Sequence, residues 1–564
     1  GQDDRQRLTS SLLHISHMSQ TSSSFIPQFL SKNIWSILGI TALFHVLAGV
    51  VLHTAASAVV LGVVGSVVAV VTWKRLEWGL AIALFEIVIG AHGHLVAYTA
   101  HGFPISLRMV VFVAVMGGWL LGLLQKKWAI RFVPSRDIPF LALFIAVTYG
   151  IVRGLALQQG IIGLIDDANS YITLAYLLPL ASVIWTQENR RLFLTTLFTG
   201  TFWVSLFTFA LTFIFTHISQ SNIWEMYVLV RDTRMFEVTL LSSPVWLAHS
   251  FVGGDWYFRV FSQAQIFAPL FLFILSSAIF FLRTGKKERV PMWTWVWCVC
   301  FFGAFLQSLS RSFLVGFTCG AFVLFGYWLL GGKESWRTWS VVARRKIALL
   351  GSFVIAAAAL WVLVSFPIPA RPDLTSSPFY RGDQDNTRAL AVSSRWKMLD
   401  PMLGTVAEAP ILGAGFGKEL TYVSDDPRIK EMTGGTGELT TYRFEWGFLD
   451  AWIKMGIFGI IAYTWIFGAL VVQVGKNIRS QGVWSLSAVR ERWLEIGLVS
   501  GVVMIYATHM FTPYLNHPIG LMYVLFATFM ISWKGSSTQK KEAQTIQGER
   551  RLFGTAAYAS RTAL

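Results

Sequence analysis

TAASAVVLGVVGSVVAVVTWKR, residues 54 to 75, holds twenty consecutive residues without a charge and closes on Lys74 and Arg75. A bilayer core takes roughly 20 apolar residues per helical span, so the stretch is long enough to cross one. A basic pair directly behind such a run marks a cytoplasmic helix end. Fourteen runs of this kind lie between residues 34 and 533, among them 78 to 98, 170 to 186, 262 to 282, 446 to 472, 494 to 512 and 518 to 533. Of the 564 residues 54% are hydrophobic and 13% charged, which leaves a water-soluble fold no place for its apolar surface. The fold class that follows is an all-α polytopic membrane protein of about fourteen transmembrane helices.

A net charge of +16 raises the question of nucleic acid, and the positions of the cations answer it. Lys74 and Arg75, Lys126 to Arg136, Arg190 and Arg191, Arg283 to Arg289, Lys333 to Lys346, and Lys476 to Arg492 fall in every second connection. Such alternation belongs to cytoplasmic loops of a membrane protein and sets both termini on the cytoplasmic side. Residues 1–33 then form a cytoplasmic segment, with the first run retained as an anchor. Residues 34–366 hold eleven spans with an outward loop at about 217–261, residues 367–445 a large outward loop, residues 446–533 three more spans, and residues 534–564 a polar cytoplasmic tail. Cys298, Cys300 and Cys319 sit inside apolar runs, where they read as small buried residues rather than disulfide or zinc partners.

The large loop is too long to be a passive connection and carries local structure of its own. Within SSRWKMLDPMLGTVAEAP, Ser394 stands where a helix N-cap would. Trp396, Leu399, Leu403 and Val406 recur at helical spacing, and Pro410 stops the run. Gly413, Gly415 and Gly417 follow as a tight turn. They come after no strand and lack the Lys-Ser/Thr ending of a nucleotide loop.

Three stretches together resemble the O-antigen ligase and O-antigen polymerase (Wzy-type) superfamily of membrane glycosyltransferases. They are FRVFSQAQIFAPL at 258 to 270, LSRSFLVGF at 309 to 317, and SSRWKMLDPMLGTVAEAPILGAGFGK followed by EWGFLDAWIKMGIFG. The resemblance implies transfer of a glycan from a polyprenyl diphosphate to a hydroxyl, inverting and metal-independent, without a cofactor. A polymerase is slightly preferred over a ligase. Implied partners are the lipid-linked donor, a glycan or lipid-linked acceptor, membrane lipids, and chain-length or other envelope assembly proteins, but no nucleic acid. The implied setting is the bacterial inner membrane, with the site on the periplasmic or extracellular side.

A diphosphate leaving group needs permanent cations, and Arg offers a bidentate fork that keeps its proton. Arg259, at the outer end of the eighth span, and Arg395, at the head of the loop helix, match the family's arginines. Arg311 opens the tenth span and needs either a protein partner or a phosphate. The family's base is a His; the frame Phe448, Leu449, Trp452, Gly456 and Gly459 is intact here, but Glu445 occupies the His position. A carboxylate near an apolar face can serve as base. Asp450, Tyr442, His509 and His517 are the alternatives, and Glu445 could instead pair Arg443 or an active-site Arg. Lys418, Arg443 and Tyr442 complete the expected substrate contacts.

Other features carry blander readings. Asp166 and Asp167 read as a solvated turn before a metal pair, while Glu86, His92 and His94 read as polar groups sharing the third span. The rival from another class is a transporter or flippase of a lipid-linked amphipathic substrate, and a scaffold for envelope enzymes is the third reading.

Overall fold

In a computed structural model the protein is described for residues 33–52, 54–90, 93–100, 103–218, 220–242, 256–281, 290–330, 339–366, 368–369, 393–479, 489 and 491–533. Both terminal segments, 370–392 of the large loop, His92, and the cations Arg283, Lys286, Lys287, Arg289, Lys333, Arg337 and Arg490 lie outside the described residues.

Helices α1 (Asn33–Val51), α2 (Ala56–Lys74) and α3 (Leu76–Ile89) lead to a hairpin of β1 (Ala97–Ala100) and β2 (Phe103–Ser106), with Ala97 opposite Ser106. α4 (Leu107–Leu124) and α5 (Pro134–Ala156) follow. α6 (Ile161–Tyr171) passes through a 3-10 turn into α7 (Leu177–Ser182), and α8 (Gln187–His217) is the long helix before the middle loop. That loop holds α9 (Gln220–Asp232) and an antiparallel pair, β3 (Glu237–Ser242) and β4 (Trp256–Phe261). Next come α10 (Phe267–Phe281), α11 (Met292–Ser308), α12 (Arg311–Leu330) and α13 (Trp339–Ser365). The described part of the large loop contains a helical turn at 393–397, then α14 (Leu399–Glu408), β5 (Leu420–Val423), α15 (Pro427–Met432) and β6 (Glu438–Thr441). α16 (Gly447–Arg479), α17 (Trp493–His509) and α18 (Pro518–Met530) close the bundle.

Among the described residues, ten helical segments are long and apolar enough to cross a membrane. Every expected run is helical over at least part of its length, but α3, α11, α17 and α18 have only 14, 17, 17 and 13 residues. The segment Gln263–Phe281, which includes α10, is 94% buried and is the axis of the bundle. α17 packs on α10 and on α12. Small residues permit this: a Cβ on Gly316 or Gly320 of α12 would lie 2.6 Å from the Met504 carbonyl or 2.7 Å from that of Ser500.

Three expectations are corrected. The third span ends at Ile89 rather than 98, because Gly90 closes the helix and Gly93, at φ +79°, turns the chain toward the β1–β2 hairpin. His94 therefore does not share a helix with Glu86, whose carboxylate pairs with Arg108 Nε at 3.1 Å. The sixth helical segment starts at Ile161, so Asp166 and Asp167 lie within α6 and not in a solvated turn. Ser394 is no N-cap: it lies inside the 393–397 turn and shares a 2.6 Å hydrogen bond with Ser424.

Candidate functional site

The large loop is riveted to the bundle through its glycine turn. Gly413, Gly415 and Gly417 all have positive φ, and so does Gly456, where α16 kinks. A Cβ on Gly413 would lie 2.6 Å from Gly456 N and 2.7 Å from the Ile453 carbonyl, a spacing only glycine accepts. The amides of this turn are spent inside the protein. Ala414 N–H donates to Ile453 O at 2.6 Å, Phe416 N–H to Gly150 O at 3.0 Å, and Gly417 N–H to Asp167 Oδ2 at 2.9 Å. Phe416 is fully buried against α5. The turn is an anchor, and its N–H groups are not aimed at a phosphate.

Beneath the anchor lies a buried ionic group. Lys454 Nζ sits 2.7 Å from Asp167 Oδ1 and 2.6 Å from Asp450 Oδ1. Asn516 donates to Asp450 Oδ2 and accepts from Tyr171 at 2.8 Å and Tyr463 at 2.9 Å. Charges this deep survive only when paired. The group ties α6, α16 and the turn after α17 to the loop. The Asp450–Lys454 spacing of four residues was readable on one helix face; Asp167, nearly three hundred residues upstream, carried no such signal.

Above the anchor the expected site residues divide into two groups. Arg395 forms an ion pair with Glu445, both half-exposed, and Trp446 Nε1 donates to the Arg395 carbonyl at 3.0 Å. Trp446 also meets Trp396 at 5.0 Å and Phe511 at 5.7 Å. Phe511 belongs to the turn after α17; Thr508, at the end of α17, donates to the Ser312 carbonyl at 3.3 Å, and Thr512, in the turn, to the Ser312 hydroxyl at 3.1 Å. Ser312 adjoins the exposed Arg311, whose side chain has neither ion pair nor hydrogen bond among the described residues. Arg259, on β4, donates from Nε to the Ser308 carbonyl at 2.7 Å and lies over the Phe261 ring at 4.3 Å. Trp446, next to Glu445, and Ser312, next to Arg311, thus touch the 508–512 stretch, while Arg259 binds the Ser308 carbonyl three residues before Arg311. Thr508, Thr512, Ser312 and Trp446 belong to this region and escaped the sequence reading.

The second group is separate. Tyr442 and Arg443 both contact Asp166 Oδ2, at 2.7 and 2.6 Å. Burial, with the Asp166 carboxylate beside it, raises the Tyr442 phenol above its ordinary value, and the hydrogen bond to Asp166 raises Arg443. Glu445 therefore pairs with Arg395 and not with Arg443. Lys418, half-buried, follows Gly417 on this same side. Of the alternative bases, Asp450 is locked against Lys454. His509 is fully buried beneath Gly447, its Nδ1 accepting from Leu515 N–H at 3.1 Å. His517 caps α18, its side chain accepting from Ile519 N–H.

The region from α11 through the loop to the middle of α16 now has a family. Residues 296–464 match the O-antigen ligase family, Wzy_C. That match covers under a third of the chain. The match supports a likeness to the O-antigen ligase and polymerase superfamily of membrane glycan assembly. The match contains Arg311, Arg395, Lys418 and the 442–445 segment, and leaves Arg259 outside it. No curated protein and no solved structure matches the chain.

Proposed function

We propose that the protein is a glycan polymerase or ligase that moves a polyprenyl-diphosphate-linked glycan to an acceptor hydroxyl, inverting the linkage without a metal. The observation that supports the reading is the half-exposed Arg395–Glu445 pair, joined through Trp446 and Phe511 to the turn after α17, the same region that Ser312, next to Arg311, touches through Thr508 and Thr512. In the resting protein the guanidinium holds the carboxylate. An arriving diphosphate competes for Arg395, because guanidinium binds phosphate oxygens through two parallel bonds. Release of Arg395 frees Glu445 beside the place where the acceptor would lie, and Glu445 takes the hydroxyl proton as the new glycosidic bond forms and the diphosphate departs. Arg259 and Arg311 stabilise the charge that builds on that leaving group.

Polymerisation is kept as the slightly preferred reading over ligation. The alternative, a transporter or flippase, would use Glu86 with His92 as its coupling site; Glu86 is paired with Arg108, and His92 lies outside the described residues. Purified protein incubated with lipid-linked glycan and acceptor tests the proposal. New glycosidic bonds support it, and transbilayer movement of the substrate without bond formation overturns it.

A further inference from the structure

The loop helix has two apolar faces. Met398, Met402 and Thr405 are buried under the loop, with Met402 fully enclosed. The stripe with helical spacing divides: Val406 packs on the Met398–Met402 side, while Trp396 at 56% and Leu403 at 47% are exposed, as are Ile411 at 62% and Leu412 at 45% beyond the helix. Exposed large apolar side chains grouped on one face, here with Asp400 and Glu408 among them, are costly in water and mark a docking surface.

Its neighbours identify the occupant. The Ile411 carbonyl accepts from Ile457 N–H at 3.1 Å and the Leu412 carbonyl from the Tyr149 hydroxyl at 3.0 Å, which fastens both residues to α16 and α5. Along those helices the exposed side chains are Phe458, Ile461 and Trp465 on α16 and Leu141, Phe144 and Ile145 on α5. In membrane-crossing helices such faces meet lipid tails. Ile411 and Leu412 therefore cap a lipid-facing strip, and the stripe through Leu403 to Trp396 extends it sideways. Arg395 and Lys397, on the flank, can keep their charged heads at headgroup level.

We propose that the segment 396–412 is seated in the outer leaflet of the bilayer, with Trp396, Leu403, Ile411 and Leu412 in the interfacial lipid. The loop is then a membrane-embedded lip that holds the Arg395–Glu445 pair at the depth of lipid phosphates. This inference is independent of the reaction proposed above.

The test places a photoactivatable diazirine amino acid at Leu403, at Ile411, at Phe458 as the lipid-facing reference, and at Thr436 as the water-facing one. Each full-length protein is reconstituted in phosphatidylethanolamine and phosphatidylglycerol vesicles, irradiated, and analysed by mass. Phospholipid adducts at 403 and 411 comparable to those at 458, and none at 436, are expected. Loss to water at 403 and 411, as at 436, overturns the proposal, and so do protein–protein cross-links there, which would make the stripe an interface between copies. The adduct at 458, in the protein labelled there, reports that the chain inserts into the bilayer under these conditions.

Discussion

Glu445 and Arg395 form the most exposed ion pair among the proposed catalytic groups, so their replacement separates chemistry from folding. An exposed pair contributes little to stability. Glu445→Gln keeps the shape and removes the proton acceptor, so turnover should drop roughly 100- to 10,000-fold with little change in melting temperature. Full activity would move the base elsewhere. Arg395→Lys and Arg259→Lys keep the charge and lose the fork, and each should cost about 10- to 100-fold in turnover, the worth of one charge-assisted hydrogen bond. Unchanged turnover in both would remove the phosphate assignment. A third residue reports on the loop itself. Lys397 holds the Asp425 carboxyl below its ordinary value, so this contact persists through neutral pH and is lost as pH falls through that depressed value. Hydrogen exchange at 393–398 should accelerate only under acid, and Asp425→Asn should make it fast at every pH. The Arg–carboxylate pairing was legible as an alternative in the sequence, because both residues sit in one loop. Which arginine Glu445 chooses was not, since Arg443 is nearer in the chain and is taken by Asp166 from a distant helix.

At the scale of elements, apolar runs were legible where a helix is uninterrupted and illegible where backbone chemistry cuts it. The run 78 to 98 stays apolar past Ile89, yet Gly90 and Gly93 stop the helix there. The run 170 to 186 belongs to a broken element that begins nine residues earlier. The loop helix shows the same limit for faces: periodicity found the stripe through Trp396 and Leu403, but Met398 and Met402 on the other side are the residues that pack. Hydropathy cannot separate a face that meets protein from one that meets lipid. The junction of glycine turn and kinked helix is decided by close approach, and it supports two predictions. Gly456→Ala puts a side chain at φ +63° against the Ile411 carbonyl and should destabilise the protein by at least about 1 to 2 kcal/mol. Lys454→Met leaves Asp167 and Asp450 buried without their cation. Removing one partner of a buried pair costs about 3 to 5 kcal/mol, and thermal unfolding in detergent should show the larger loss for this variant.

For the molecule as a whole, helix length alone does not set the number of crossings. α18, with 13 residues, rises only about 20 Å against a hydrocarbon core of about 30 Å. It is nonetheless almost entirely buried, surrounded by the bundle rather than by lipid, so protein satisfies the backbone at its ends. The side on which each connection lies therefore decides the topology, and the cations give a definite expectation. Lys126, Lys127 and Arg131 follow α4 and should face the cytoplasm, as should Lys476 and Arg479 at the end of α16. Between them the segment 393–445, which holds Arg395 and Glu445, should face outward. Single cysteines placed at Lys127, Thr436 and Lys476 of the full chain can be challenged in intact cells with a membrane-impermeant thiol reagent. Labelling at 436 alone, with 127 and 476 reacting only after the cells are opened, is the expected pattern. Labelling at 127 without 436 would reverse the orientation and put the paired arginine and glutamate in the cytosol. A lipid-linked glycan displayed on the outer face could not reach them there, and the proposed reaction would fail with the topology.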